Sequence, residues 1–146
     1  MEDMRGKFGV IVSGYTHNMH GFINSNPGLK SRFDKYFHFE DYTPDQMFII
    51  ALSMYRKEGV MPDVDAATHL KAYFTALFNH RDEFFGNART VRQVVAESVK
   101  NQNLRLAATR KEDRTPDLMA TIILEDVQEF DPKNVSGGKA KIGFKP

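Results

Sequence analysis

The chain has 146 residues, 41% of them hydrophobic and 12% aromatic, which is enough for a real core in one domain or two small lobes. Its 20 basic and 19 acidic side chains leave a formal charge of +1, so no bulk excess selects nucleic acid or a membrane surface as partner. Without cysteine there is neither a disulfide framework nor a thiolate metal site, and no apolar run approaches the roughly 20 residues needed to span a bilayer. Met1-Glu2-Asp3-Met4-Arg5 is not a signal peptide, and the cytoplasm is the expected location.

Residues 7–14 read KFGVIVSG, a short β-branched run closed by glycine, as in a buried strand of a parallel sheet. Tyr36-Phe37-His38-Phe39 offers a second strand. Two short strands cannot make a sheet covered on both faces, so residues 1–41 read as the edge of an α/β domain whose other strands lie elsewhere. Between them, Gly14-Tyr15-Thr16 leaves the first strand, and Asn26-Pro27-Gly28 is a turn with Arg32 close behind. His17 and His20 stand three apart, but no carboxylate or third histidine lies at ligand spacing, so no metal site is expected.

From Thr43 the pattern becomes helical. Thr43-Pro44-Asp45-Gln46 is a capping box with proline at the first helical position, followed by Met47, Ile50, Ala51 and Met54 at helical spacing until Gly59. Pro62 and Asp63 open a second helix, with Ala67, Leu70, Phe74 and Leu77 or Phe78 as its apolar stripe to about Arg81. The aromatics Phe48, Tyr73, Phe74, Phe78, Phe84 and Phe85 are expected in the core rather than as a base-stacking platform.

Phe85-Gly86-Asn87-Ala88-Arg89-Thr90-Val91-Arg92 opens a third helix, expected from Asn87 to about Ala108. Asn87 is suited to N-cap it, and the amides and positive dipole end of a helix favour a negative ligand, to which Arg89 adds a guanidinium fork. At 100° per residue, Val91, Val94, Val95 and Val99 lie on the face opposite Arg89. Three amphipathic helices with short connections make a small bundle. Ala120-Thr121-Ile122-Ile123-Leu124 then reads as a short strand, with Glu125-Asp126-Val127 starting a helical turn, and residues 128–146 read as a flexible basic tail. The fold class expected is therefore mainly α: a helical bundle over residues 42–127 preceded by a short α/β remnant with one or two strands over residues 1–41.

GVIVSGYTHNM, SNPGLKSRF, YFHFEDYTPDQMFIIA and FFGNARTVRQVVAESVKNQNLRLA together resemble, in order and spacing, the C-terminal half of an AAA+ ATPase of the stage V sporulation protein K and CbbX type. The resemblance implies that Tyr15 or Thr16 stands at the end of the sensor 1 strand, which positions the attacking water. It implies that Arg32 is the arginine finger reaching a neighbouring subunit's nucleotide, and that Arg89 is the sensor 2 arginine, with Gly86 and Asn87 beside it at the nucleotide. It also implies a helical lid, ATP with Mg²⁺ as cofactor, a homo-hexamer of AAA+ subunits, and a remodelled protein partner. Arginines at these places suit phosphoryl transfer, which is mostly positioning and charge stabilisation.

Two parts of the family pattern are missing. The sequence has no G-x-x-x-x-G-K-[ST], since Gly137-Gly138-Lys139 is followed by Ala140, and no apolar strand ending in paired acids to hold Mg²⁺. Lys30 stands where relatives often carry arginine, leaving Arg32 as the finger. The chain thus reads as a fragment or split domain starting just after the Mg²⁺-binding strand, without ATP hydrolysis of its own. A stand-alone helical interaction module is the alternative. A nucleic-acid binder using Arg89, Arg92, Lys100, Arg105, Arg110 and Lys111 ranks last, because Glu97 interrupts that face.

Overall fold

The computed structural model describes residues 9–82 and 85–135. The chain divides into two compact units, Met1–Glu40 and Asp41–Pro146.

The first unit holds two short helices, α1 (Thr16–Asn24) and α2 (Pro27–Lys30). Met19, Phe22 and Ile23 give α1 its i, i+3, i+4 apolar spacing, yet neither helix has a buried residue. Asn26 caps α2 by accepting the Gly28 N–H at 2.9 Å, and Pro27 takes the first helical position, so the expected turn is one turn of helix. The expected strands are not formed here. Among the described residues, Gly9–Gly14 and Tyr36–Phe39 have no ladder partner, and Ile11 and Phe39 are 96% and 89% exposed. β-branched residues favour a strand only where a neighbouring strand takes their N–H and C=O groups, and the described residues of this unit supply no such neighbour. Lys7 and Phe8, the start of the expected strand, lie outside the described residues.

The second unit is the mainly helical body the sequence predicts. Helix α3 (Pro44–Lys57) opens on the capping box: Gln46 N–H donates to Thr43 Oγ1 at 3.3 Å, and Thr43 N–H to Gln46 Oε1 at 2.9 Å. Its end is a Schellman motif, with Val60 N–H bonded to the Tyr55 carbonyl and Gly59 N–H to the Arg56 carbonyl. This motif needs φ +76° at Gly59, which glycine adopts without a Cβ penalty. The chain then forms β1 (Met61–Pro62), and Asp63 caps α4 (Val64–Asn79) through the Ala66 N–H at 2.8 Å. Helix α5 (Ala88–Ala108) follows, then α6 (Pro116–Ala120), β2 (Thr121–Ile122) and α7 (Leu124–Val127). The two strands pair in parallel, Met61 with Thr121 and Pro62 with Ile122. Thr121 and Ile122 of the expected strand form β2 and the expected helical turn follows as α7, while the partner β1 takes Pro62, which was expected to open the second helix, leaving Asp63 as its cap.

The core lies between α3, α4 and α5. Met47, Phe48, Ala51 and Tyr55 meet Ala66, Leu70, Tyr73, Phe74 and Leu77, with Val91, Val94 and Val95 closing the third side. The larger apolar side chains among them, such as Met47, Leu70 and Phe74, each contribute on the order of 1.5–3 kcal/mol. Phe85 is buried too, whereas Phe78 is half-buried and stacked under Arg81, whose Cζ is 3.7 Å from the ring centroid. Phe84 lies outside the described residues. Val127 and Phe130 pack into the same core, and the Phe130 ring meets Tyr73 with centroids 5.5 Å apart. The packed body therefore runs past residue 128, where a flexible tail was expected to begin. Residues 136–146, including Gly137-Gly138-Lys139, lie outside the described residues.

Candidate functional site

The start of α5 gathers three of the residues singled out from the sequence. Arg89 sits in the first helical turn and is exposed, while Thr90, Val91, Val94 and Val95 on the opposite side are buried. The valine face holds the helix, and the arginine is carried outward by the helical period. Arg89 N–H donates to the Gly86 carbonyl at 2.9 Å and Val91 N–H to the Asn87 carbonyl at 3.3 Å. These bonds take two donors of the first turn, so the guanidinium is the group here most suited to an anion. Gly86 has a steric reason to lack a side chain: a Cβ there would run into Thr90 Oγ1, and Thr90 is itself buried.

Asn87 departs from the expected N-cap. Its backbone is at φ 50°, ψ −125°, and its side chain makes no capping bond to α5. That conformation is open to glycine and costs other residues on the order of 1–3 kcal/mol. An asparagine with this backbone no longer aims its side chain down the helix it precedes. Instead its Oδ1 accepts the Tyr42 N–H at 3.0 Å and its Nδ2 donates to Asp41 Oδ1 at 2.7 Å. Asp41 Oδ2 in turn lies 3.4 Å from Arg81 Nε, just beyond the end of α4.

In the first unit, Tyr15 takes the N-cap position of α1 and Thr16 its first helical position, both exposed. The Thr16 hydroxyl lies 3.5 Å from His38 Nδ1. Arg32 follows α2, exposed, with its guanidinium against Gly28. His17 and His20 are exposed, and among the described residues no group of three His, Asp or Glu side chains could hold a metal ion.

The C-terminal half of α5 carries polar residues that the valine pattern did not reveal. Tyr55 donates its hydroxyl to Ser98 Oγ at 2.9 Å, and Ser98 donates onward to the Val94 carbonyl. Gln102 donates to the carbonyls of Met119 and Thr121, and Arg105 grips Asp126 with two bonds of 2.9 Å, from Nε to Oδ1 and from Nη2 to Oδ2. Asp126, 1% exposed, also accepts the Ile123 N–H. These residues hold the β2 segment onto α5, as the bonds to backbone carbonyls require. Burial pushes the Tyr55 hydroxyl up to about 12, against the lowering effect of its bond to Ser98. The hydrogen bonds that Arg105 donates to the Asp126 carboxylate hold its guanidinium above its ordinary value despite partial burial. Arg105 is thus turned to Asp126, Arg110 pairs with Asp113, and Lys100 with Glu97, so these three cations of the suspected basic face are engaged within the chain. The signal for the Arg105 pair was Ser98, Gln102 and Arg105 continuing the valine stripe at steps of three and four.

A bundle of three amphipathic helices, closed by a two-residue parallel ladder and presenting an arginine at the start of its longest helix, has the build of a helical lid. The chain belongs to the AAA lid domain family, whose model matches residues 43–137, and the lid is of the stage V sporulation protein K and CbbX type. It is 35% identical over 107 residues to stage V sporulation protein K of Bacillus subtilis (strain 168), covering 73% of this chain and 33% of that protein. It is 30% identical over 128 residues to protein CbbX of Cereibacter sphaeroides, covering 88% of this chain and 41% of that protein. To the ESX-3 secretion system protein EccA3 of Mycolicibacterium smegmatis it is 32% identical over 139 residues, covering 88% of this chain and 23% of that protein. The chain therefore spans less than half the length of these relatives. Among the described residues no helix is long and apolar enough to cross a membrane.

Proposed function

We propose that this chain is the sensor and lid portion of an AAA+ ATPase, coupling ATP binding and hydrolysis to the remodelling of a protein partner within a ring of like subunits, a homo-hexamer, in the cytoplasm. The observation that carries the reading is the exposed Arg89 at the start of α5, backed by a buried valine face, in a body that matches the AAA lid family over residues 43–137. A guanidinium so mounted suits a phosphate group, and the turn at Gly86 and Asn87 presents it. Arg32, exposed beyond α2, is assigned to the nucleotide of the neighbouring subunit. Tyr15 or Thr16 is assigned to the sensor 1 position, where a hydroxyl orients the attacking water. In this division residues 1–41 belong to the nucleotide-binding subdomain and residues 42–127 to the lid. ATP supplies the phosphoryl group that is transferred to water. Its Mg²⁺ ligands are not assigned to this chain, whose sequence has no apolar strand ending in paired acids. The chain by itself is expected to release no phosphate from ATP above background.

The test is Arg32→Ala in an assembly where this chain works with a lobe carrying the Walker motifs. ATP affinity should stay nearly constant while turnover falls by roughly 10³-fold or more. Adding subunits that keep Arg32 but have a dead Walker site should restore part of the turnover. Turnover equal to that of the unaltered protein would return Arg32 to a structural role.

A further inference from the structure

We infer that Asn87 is a clasp, binding the segment that enters the lid to the start of the Arg89 helix, so that a load on Arg89 is passed to Asp41 and Tyr42. The clasp itself is independent of the proposed function, while the source of the load rests on Arg89 being the nucleotide sensor.

Asp41 and Tyr42 are the first residues of the second unit and directly precede the capping box of α3. The Asn87 amide engages both, accepting from the Tyr42 backbone N–H and donating to the Asp41 carboxylate. An uncharged amide is suited to this because it donates and accepts at once. The Asp41 carboxylate is also approached by Arg81, so the entering segment is held at both flanks of the connection between α4 and α5. The backbone of Asn87 points the same way: it is the one non-glycine among the described residues at positive φ, in a conformation where glycine is the easy choice. Its side chain makes no cap to its own helix, so the two bonds reaching 45 and 46 residues back account for an asparagine here. Arg89 stands two residues further on, in the same helical turn, and its N–H is fastened to Gly86. A ligand pulling on the Arg89 side chain therefore pulls on the turn that grips the lid entrance, with the buried valines preventing the helix from rotating independently.

The test is hydrogen exchange of individual amides in the 146-residue chain. Asn87→Gly suits the backbone and removes both side-chain bonds, so the Tyr42 amide should exchange about tenfold faster, on the scale of losing one hydrogen bond, while Leu70 and Val94 keep their protection. Asn87→Asp sets two carboxylates against each other and should also free Tyr42. Combining it with Asp41→Asn exchanges donor and acceptor and should restore protection. Unchanged Tyr42 exchange in Asn87→Gly, or an equal acceleration at Leu70 and Val94, would overturn the clasp. With ATP added to an assembly in which this chain works with a lobe carrying the Walker motifs, the Arg89 amide resonance should move with both the unaltered chain and Asn87→Gly, with Tyr42 following only in the former. If Tyr42 follows equally in both, the transmission is refuted. If Arg89 ignores ATP, the nucleotide reading fails together with the transmission, whereas the exchange comparison decides the clasp separately.

Discussion

Replacing Tyr55 with phenylalanine should reverse its effect on stability between neutral and alkaline pH. The Tyr55 side chain is fully buried and donates to Ser98, which keeps its own bond to the Val94 carbonyl when the tyrosine hydroxyl is removed. At neutral pH the loss is therefore that of one ordinary hydrogen bond, about 1 kcal/mol. Burial raises the folded pKa from 10.0 to about 12, so the folded protein holds this proton more tightly than the unfolded chain does. Its contribution is fully present below the unfolded value and is lost as pH rises through the folded one, a total of about 3 kcal/mol for a shift of about two units. Near pH 11 about half of that is gone, and the phenylalanine variant, which has no such proton to lose, should match or exceed the unaltered chain. Guanidinium unfolding from neutral pH to pH 12 measures both curves. Tyr73 is also raised, first by burial, but it is present in both proteins and cancels in the difference. Curves that stay parallel throughout would refute the reasoning and mean that water reaches the Tyr55 hydroxyl in the folded state.

Asp126→Ala should cost about 3–5 kcal/mol in urea unfolding, since it removes a buried carboxylate, leaves the partly buried Arg105 guanidinium without its counter-charge and frees the Ile123 N–H, and adding Arg105→Leu should recover part of that loss. Val95→Ala removes buried methyl groups opposite Arg89 and should cost about 1–3 kcal/mol by the same measurement. Gly59→Ala forces a Cβ into φ +76° and should lower stability by about 1–2 kcal/mol, visible as a lower melting temperature. Arg89→Ala, at an exposed position, should change stability by no more than about 0.5 kcal/mol while abolishing any ATP-induced shift at the start of α5.

The sequence by itself determined the elements whose signals are local. The Thr43–Gln46 box, the Gly59 stop, the Asp63 cap and the valine period of α5 each act within a few residues, so their chemistry is complete before any tertiary contact forms. The exposure of Arg89 followed from the same helical period that buries Val91 and Val94. Only the tertiary structure decided where strands form, because a strand is defined by its partner: the β-branched run at residues 10–12 stays unpaired, while Met61 and Pro62 pair with a segment some 60 residues on. It also decided what polar side chains do across the chain. Asn87 turned from its own helix to Asp41 and Tyr42, and Arg105 from a suspected basic face to Asp126, because each found a partner far away in sequence that satisfied it better than solvent or its own turn.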